Sequence, residues 1–380
     1  MKKSIKRLLS SIIVITLTAA LLAGCSGSGG DANDGGENET SSSTSGSKNA
    51  GEPVSKDSLL EGKRIIYIVN SEKTDWQIIS NHYLEELCKA AGADVTVHNP
   101  DGDSATQAQM LEDALVQQPD LIFMKPLDQA SIVPAVKKAN EAGIPIVTLD
   151  FAVSGDADCK IDCAVQTDQY SCGELAAEYF KSVADETGEE QIVIEIYGDM
   201  STNIGQQRGP DSFDKAVEEY DNVTLVAATE SKWDASDAYT AVMDMLTAHP
   251  EANAIYSHSD CMSSGIVQAL TDLDRLVPAG EEGHISYCSV DGEAIGCEHV
   301  REGWLDQISD NNPCKNCIVA FWAAIDILNG YEVPESLPFP SFAITSENVD
   351  EAWGSMDIND IANWGWYETD AYELQTPYVE

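Results

Sequence analysis

Residues Ala135–Phe151, which read AVKKANEAGIPIVTLDF, hold the pattern that decides the fold of this 380-residue chain. The apolar spacing of the first residues predicts the end of a helix, and Gly143 supplies a helix stop signal. The run from Ile144 to Leu149 is almost wholly apolar, as in a strand buried on both faces of a parallel sheet. Asp150 ends this strand, where it could be a solvated loop residue, the cap of the next helix or a ligand-binding group.

Apolar strands and amphipathic helices alternate in the same way along most of the chain. The first series predicts strands at 64–69, 94–98, 121–124 and 144–149, with helices at 78–91, 105–117 and 130–142. A second series predicts helices at 172–186, 206–220, 235–248 and 263–273, with strands at 191–197, 223–228, 254–257 and 284–289. Short links between such elements require parallel sheets with helices on both faces. The sequence therefore predicts an α/β fold with two doubly wound parallel-sheet lobes.

The first 24 residues have the pattern of a secretory signal peptide. Four cations precede an apolar run from Leu8 to Ala23, which is too short to predict a membrane-spanning helix. The run ends in Leu22-Ala-Gly-Cys25, which resembles a bacterial lipobox and implies cleavage before Cys25 and lipidation of Cys25. We therefore expect an extracytoplasmic lipoprotein on the outer face of the cell membrane, with an uncleaved anchor as the alternative.

Residues 25–61 are polar and rich in Gly and Ser. Such a segment has too little apolar surface to offset its ordering entropy, so we expect a flexible tether. The roughly 320 residues from position 62 onward exceed what one hydrophobic core usually holds, which favours two lobes.

The charge and the motifs exclude several classes of function. The formal net charge is −44, and a nucleic-acid-binding surface would need a basic face. None of the predicted strands is followed by a Gly-rich phosphate-binding motif or by the Gly-x-Ser-x-Gly elbow of hydrolases. We therefore predict no nucleotide cofactor and no nucleic-acid partner.

The chain has ten cysteines, and lipidation of Cys25 would leave nine, an odd number. Two pairs are close enough in sequence for local disulfides outside the cell, Cys159 with Cys163 and Cys314 with Cys317. The Cys-x-x-Cys pair stands alone and no His pair follows it, so we predict no metal site. Cys88 and Cys261 are predicted to be buried, inert thiols.

Ligands of open parallel sheets bind at the carboxyl ends of the strands. The segments that follow the predicted strands here are 70–76, 125–126, 150–151, 197–199, 232–234, 259–260 and 290–292. They are rich in carboxylates and aromatic rings, and Arg208 lies nearby in sequence. Carboxylates accept hydrogen bonds from hydroxyl groups, Arg donates in a fixed fork, and rings cover the C–H faces of a sugar. The mixture favours a polyhydroxylated ligand.

The chain resembles the type I periplasmic sugar-binding proteins, the ribose-binding kind that serves ABC importers. Five segments carry the resemblance in order over residues 64 to about 350, at 134–150, 207–213, 246–260, 289–292 and 344–349. The resemblance implies two α/β lobes joined by three crossings, with the ligand between them. It implies lobe 1 at 62–167 and 311–340 and lobe 2 at 168–310 and 341–352. The acidic tail at 353–380 lies beyond the usual end of the family.

The resemblance also implies the ligand-binding residues. Asp150 takes the position of a carboxylate that accepts hydrogen bonds from two sugar hydroxyls, and Arg208 that of a donor to ring or hydroxyl oxygen. Trp76 and Trp233 take the aromatic positions, and Asp291 that of a second carboxylate. From the residues alone, each has an ordinary alternative as a helix cap, a core side chain or a surface ion pair.

Three positions depart from the family pattern. Phe151 stands where the family often has an Arg, which removes a donor and adds a ring. Ser259 replaces an Asn and leaves room for a larger substituent or a water. Asp310-Asn311-Asn312 stands where the family tends to have a Gln, and we expect Asp310 to be the ligand-binding residue there. The pocket is therefore not restricted to ribose, and another pentose, a hexose or a substituted sugar fits equally well.

The leading hypothesis is a monomeric, non-enzymatic receptor that binds a monosaccharide by hinge closure and presents it to an ABC permease. It needs no cofactor. One alternative is a sugar-sensing subunit for a chemoreceptor or a histidine kinase. Another is a glycosidase that uses Asp150 and Asp291, although nothing in the sequence indicates the raised pKa that a catalytic acid requires.

Overall fold

The computed structural model describes residues 54–150, 153, 159–365 and 369–379. The predicted signal peptide, Cys25, most of the predicted tether and Phe151 lie outside these residues. Within them, no helix is both long enough and apolar enough to cross a membrane.

The helices and strands follow one another in near-regular alternation. The first are β1 (Val54–Ser55), β2 (Arg64–Ile68), α1 (Asp75–Ala90), β3 (Asp94–His98), α2 (Ser104–Val116), β4 (Leu121–Met124), α3 (Val133–Ala142), β5 (Ile146–Leu149) and β6 (Cys163–Thr167). Next come α4 (Gln169–Thr187), β7 (Gln191–Tyr197), α5 (Asn203–Arg208), α6 (Asp214–Glu218), β8 (Val223–Glu230), α7 (Ala235–Ala248), β9 (Ala254–Ser257), α8 (Ser263–Asp272), β10 (Ser286–Asp291), α9 (Ala294–Arg301) and β11 (Gln307–Asp310). The last are α10 (Pro313–Leu328), β12 (Ser336–Phe339), β13 (Ala343–Ile344) and β14 (Tyr378–Val379).

Two six-stranded sheets organise the molecule. The first has the strand order β12-β6-β5-β4-β2-β3, and the second has the order β13-β11-β10-β9-β7-β8. All neighbours in them are parallel except β11 and β13, which pair antiparallel where the chain returns to the second sheet. The prediction of two doubly wound lobes is confirmed. The chain passes from one sheet to the other after β6, after β11 and after β12.

Helices cover both faces of each sheet, which explains the continuous apolar runs of the strands. In β2, Ile65 and Tyr67 face α1 and α10, whereas Ile66 and Ile68 face α2 and α3. The second sheet has the same division, since β7 points Ile194 toward α7 and α8 and its neighbour Val193 toward α4. No strand of this kind can show an alternating polar face.

The chain after residue 352 begins against the second lobe and then packs on the first. Trp353 is buried and belongs to the hydrophobic cluster that includes α1 and α10, while its indole Nε1 bonds to the second lobe, and Tyr378 stacks on Trp322 of α10. The carboxylate of Asp326 on α10 accepts four hydrogen bonds from residues 372–376 of this segment. Strand β14 pairs with β1, so the two ends of the described chain meet on the same lobe.

Neither of the two local disulfides that the sequence spacing allows is formed. Cys163, Cys314 and Cys317 are separate buried thiols. The Sγ atom of Cys317 donates instead to the carbonyl of Ser80 on α1, 3.2 Å away. These cysteines fill the first lobe's interior as small apolar side chains, and Cys88 is buried as predicted.

Candidate functional site

A cavity of about 460 Å³ lies between the two sheets, where the carboxyl ends of their strands face each other. Most of the residues predicted for a ligand site line it, namely Trp76, Asp150, Arg208, Trp233, Ser259 and Asp291. Four of them lie at or just beyond the carboxyl ends of β5, β8, β9 and β10, which is the position expected for a ligand in open parallel sheets. A cavity of this volume lies in the range of small-molecule sites.

Arg208 is fixed in the wall formed by the second lobe. Its side chain is buried, and its Nε donates to Oε1 of Gln169 at 2.7 Å. Its Nη2 donates to Oδ1 of Asp291 at 2.9 Å, and its Nη1 donates to the carbonyl of His258. Burial acts to lower the pKa of Arg208, but Asp291 and other neighbours raise it above its usual range. The guanidinium therefore remains charged and has one orientation.

Asp291 is the centre of the hydrogen bonds in this wall. Besides Arg208, its Oδ1 accepts from Nδ2 of Asn311 at 3.0 Å, and its Oδ2 accepts from Oγ of Ser259 at 2.6 Å. Its backbone φ is 110°, a conformation that costs energy for any residue with a Cβ. The surrounding contacts hold it there, including the indole of Trp353, whose Nε1 donates to the Asp291 carbonyl. Asp291 does not cap a helix; it positions Arg208.

Asp150 faces the same cavity from the first lobe, with a different environment. Its side chain is 8% exposed and its φ is 69°. It accepts no side-chain hydrogen bond from any residue of the described chain. Burial raises the pKa of Asp150 to about 6, and Asp291 adds to the effect, while Lys125 and Arg208 oppose it. The carboxylate is therefore largely ionised at neutral pH, with its oxygen atoms available to a ligand.

Two indole rings flank the cavity. Trp76 is buried at the start of α1, and its Nε1 donates to the carbonyl of Asn311 at 2.6 Å. Nζ of Lys125 lies 4.7 Å from the Trp76 ring centroid, a cation–π contact that supports the ring.

Trp233 is in the second lobe, with a φ of 64°, and Cζ of Arg208 lies 5.9 Å from its ring centroid. Gly198 allows this placement, because a Cβ there would lie 2.0 Å from the Trp233 ring. The two rings thus come from opposite lobes, as a sugar bound between aromatic faces would require.

Glu293 is a site residue that was not predicted from the sequence. It is buried beside the cavity, and its Oε1 accepts from the backbone N–H of Trp76 across the cleft at 3.3 Å. Burial, with the charges of Asp291 and Asp260, raises the pKa of Glu293 well above its usual range. The signal that could have found it is its position two residues after Asp291, in the same strand-end turn.

Asp260 supports this turn from behind the cavity. Its Oδ2 accepts from the backbone N–H groups of Gly292 and Glu293 at 2.7 and 2.9 Å. Burial raises the pKa of Asp260 to about 7, with a further contribution from Asp291. Asp260 therefore holds the loop that carries Asp291 and Glu293, although it does not line the cavity.

Asp310 does not line the cavity, and its neighbour Asn311 does. Asp310 is the last residue of β11, paired in register with Asp291, and its carboxyl group lies behind the wall. Asn311 is the first residue to leave the sheet, so its amide and carbonyl reach Asp291 and Trp76. Cys261 also lines the cavity and is only half-buried, contrary to the prediction of a buried thiol. Among the described residues, no group of three or more His, Cys, Asp and Glu side chains is arranged to hold a metal ion.

Comparison with known proteins places these features in a family. A family model described as "Periplasmic binding protein domain" matches residues 65–332. The ribose import binding protein RbsB of Bacillus subtilis is 26% identical over 257 residues, which cover 68% of this chain and 79% of that protein. RbsB of Escherichia coli K12 is 28% identical over 248 residues, 65% of this chain and 78% of that protein.

Solved structures agree with this comparison. An ABC transporter periplasmic solute binding protein from Actinobacillus succinogenes, with bound D-allose, superposes with a TM-score of 0.67 at 25% identity. The superposition covers 76% of this chain and 99% of that one. Together these relatives are substrate-binding proteins, which confirms the prediction of binding and not catalysis.

Proposed function

The chain belongs to the family of periplasmic binding proteins, and on that premise we propose that it captures a monosaccharide between its two lobes and delivers it to an ABC permease. The observation that carries this proposal is that two complementary groups line the same cavity. Asp150 has no side-chain hydrogen bond within the described residues, and Arg208 is held in one orientation by Asp291. A sugar offers the vicinal hydroxyl groups that an unpartnered carboxylate accepts, and the oxygen atoms to which a guanidinium donates.

The relatives support a monosaccharide as the ligand. Those named above are a ribose import protein from two bacteria and a solute-binding protein that holds D-allose. The flanking rings of Trp76 and Trp233 suit the C–H faces of such a ligand. Phe151 would add a third ring beside Asp150, and Ser259 would leave space for a substituent.

The remaining parts of the proposal follow from the chain's organisation. Lipidation of Cys25 would hold the protein at the outer face of the membrane through the Gly/Ser-rich segment. The lobes would be 62–167 with 311–340 and 168–310 with 341–352, and they would close by rotation at the three crossings. The receptor would act as a monomer, with residues 353–380 as an extension of the first lobe.

Calorimetric and thermal-shift titration of the purified protein with pentoses, hexoses, polyols and amino acids tests the proposal. A ligand that binds only the folded state raises the melting temperature. We expect at least one sugar to do so, with loss of the effect in Asp150→Ala and retention in Glu298→Ala, an exposed acid on α9. Binding of an amino acid but of no sugar would contradict the proposal. Delivery to a permease is tested by uptake of the same radiolabelled sugar in cells with and without the gene.

A further inference from the structure

The C-terminal extension, which begins at Trp353, starts against a turn that carries two cavity residues. This binding turn, Asp291–Glu293, has two consecutive residues with positive φ, 110° at Asp291 and 92° at Gly292. A φ of 110° is costly for a residue with a Cβ. The binding turn therefore depends on contacts from other parts of the chain to keep its geometry.

The peptide unit that joins Asp291 to Gly292 is held at both of its polar groups. Its N–H, on Gly292, donates to Oδ2 of Asp260 at 2.7 Å. Its carbonyl, on Asp291, accepts from Nε1 of Trp353 at 2.8 Å and from the backbone N–H of Asn311 at 3.1 Å. Because a peptide unit is planar, holding both groups fixes the direction of the backbone between the two carboxyl side chains of the turn.

The next residues of the extension also contact the second lobe. A Cβ on Gly354 would lie 2.2 Å from the carbonyl oxygen of Gly292 and 2.5 Å from the carbonyl carbon of Glu293. Only glycine allows so close an approach to the binding turn. Oγ of Ser355 then accepts from Nη2 of Arg301 on α9 at 2.6 Å.

The ring of Trp353, by contrast, packs with the first lobe. Trp353 is 1% exposed and belongs to the hydrophobic cluster of α1 and α10. After the exposed residues 356–357, the segment Ile358–Asn363 packs on α1, and the hydroxyl of Tyr83 on this helix donates to the carbonyl of Gly365 at 2.8 Å. Trp353 thus contacts the binding turn through its N–H and the opposite lobe through its ring.

Resting on the proposed function, we propose that the C-terminal extension is part of the sugar site, with Trp353 as the residue that positions the binding turn. Its N–H keeps the turn in the geometry in which Asp291 holds Arg208 and Glu293 reaches the backbone of Trp76. The buried ring gives this donor a fixed base in the first lobe. Support of this kind from behind a binding residue lowers the cost of ordering the site when a sugar arrives.

Hydrogen exchange of the full chain tests the positioning role without any sugar. Trp353→Phe removes the N–H donor and keeps an aromatic ring in the cluster. We expect the backbone amides of Gly292 and Glu293 to exchange at least about fivefold faster, as for the loss of one hydrogen bond. Thr376→Val is the matched control, because it removes a buried hydrogen bond of the same extension, from Oγ1 of Thr376 to Asp326, that lies wholly on the first lobe. It should leave exchange in the binding turn unchanged.

Calorimetry with D-ribose and D-allose, the sugars named for the relatives above, tests the consequence for binding. Both variants should unfold at lower urea concentration than the wild type. For a sugar that binds, only Trp353→Phe should raise the dissociation constant, by about fivefold, while Thr376→Val changes it by less than about twofold.

Two results would overturn the inference and leave the proposed function standing. One is equal exchange in the binding turn of the two variants, and the other is unchanged sugar affinity in Trp353→Phe. If no sugar of the full panel bound the wild type, the proposed function would fail, and the exchange comparison would still decide whether the extension holds the binding turn.

Discussion

The two walls of the cavity differ in how completely their polar groups are satisfied. In the second lobe, Arg208, Asp291 and Ser259 are joined by hydrogen bonds of 2.6 to 2.9 Å and leave little freedom to any member. In the first lobe, Asp150 has no such partner within the described residues. One wall is therefore pre-organised, and the other has a group that only a ligand satisfies.

The two walls therefore meet two different requirements of a binding site, which are orientation of the ligand and discrimination between ligands. A network held in one geometry orients a ligand without an ordering cost at the moment of binding. An unpartnered carboxylate contributes discrimination, because a ligand that fails to donate to it leaves a buried charge unpaired. We therefore expect damage to the second wall to appear as lost stability, and damage to the first to appear as lost affinity without lost stability.

The largest effect on the contrast between the two walls is expected from Arg208→Ala. Removing the guanidinium leaves Asp291 as an uncompensated buried charge, which typically costs about 3–5 kcal/mol. We expect the free energy of unfolding, measured in urea, to fall by an amount of that order, and ligand binding to be lost. Arg301→Ala is the matched control, because the Arg301 ion pair with Asp350 is exposed and should contribute less than about 1 kcal/mol. Equal losses in both variants would contradict the pre-organised wall.

Asp150→Asn tests the difference between the walls through the pH dependence of the unfolding free energy. The pKa of Asp150 is about 6 in the folded protein, against an ordinary value of 3.8. The folded protein binds this proton more tightly than the unfolded chain, so protonation of Asp150 stabilises the fold. This stabilisation is complete below the pKa of the unfolded state and is lost as the pH rises through the pKa of the folded state. Asn does not titrate, so the variant should gain up to about 3 kcal/mol in unfolding free energy relative to the wild type between about pH 4 and pH 7.

Urea denaturation at several pH values measures this difference directly. Asp244→Asn, an exposed position on α7, is the control and should show no such trend. If the stability of Asp150→Asn relative to the wild type declined as the pH rose, Asp150 would have a stabilising partner in solution, and the contrast between the walls would disappear.

Glu293→Ala tests the contact that joins the two walls. The change removes the acceptor for the Trp76 backbone N–H, a hydrogen bond that should contribute about 1 kcal/mol. We expect the dissociation rate of the bound ligand to rise about fivefold, as measured by stopped-flow Trp fluorescence. Glu293→Gln retains an acceptor and should lie closer to the wild-type rate than Glu293→Ala for a neutral ligand. A Gln variant as fast as the Ala variant would show that charge, and not this hydrogen bond, sets the rate.

The smallest effect is expected at the rim of the cleft. Nδ2 of Asn203 donates to Oε1 of Gln129 at 2.8 Å, an exposed contact between the lobes. Because water replaces such a bond readily, Asn203→Ala should change the ligand dissociation constant by less than about threefold. A larger change, measured by calorimetry, would mean that the rim contributes to closure as much as the interior does.

The fold could be predicted because its cause is local in sequence. Strands buried on both faces must be continuous apolar runs, and helices between them must have one apolar face, so the order of the elements is visible in a single chain. The elements near the crossings were not predicted individually, namely β6, α9, β11, α10, β12 and β13. The antiparallel pairing of β13 with β11 arises only from the return crossing of the chain.

The site residues that lie at the carboxyl ends of parallel strands could be predicted from the sequence. Asp150 and Asp291 end or follow buried strands, and both lie where this rule places them. The rule does not say at which residue a strand leaves its sheet. Asp310 was therefore predicted to bind the ligand, whereas its neighbour Asn311 lines the cavity. Glu293 was missed because its role depends on α1 of the other lobe, a contact with no signal in the nearby sequence.

The pairing of β1 with β14 affects the order in which the two lobes can fold. The first lobe takes its interior from the beginning, the middle and the end of the chain, and Tyr83 bonds to Gly365 across 282 positions. The second sheet, by contrast, comes largely from one continuous stretch. During synthesis, the lobe that is made first is therefore the last to be completed, and its contacts of long sequence separation make it the slower to form. The second lobe can therefore assemble before the first.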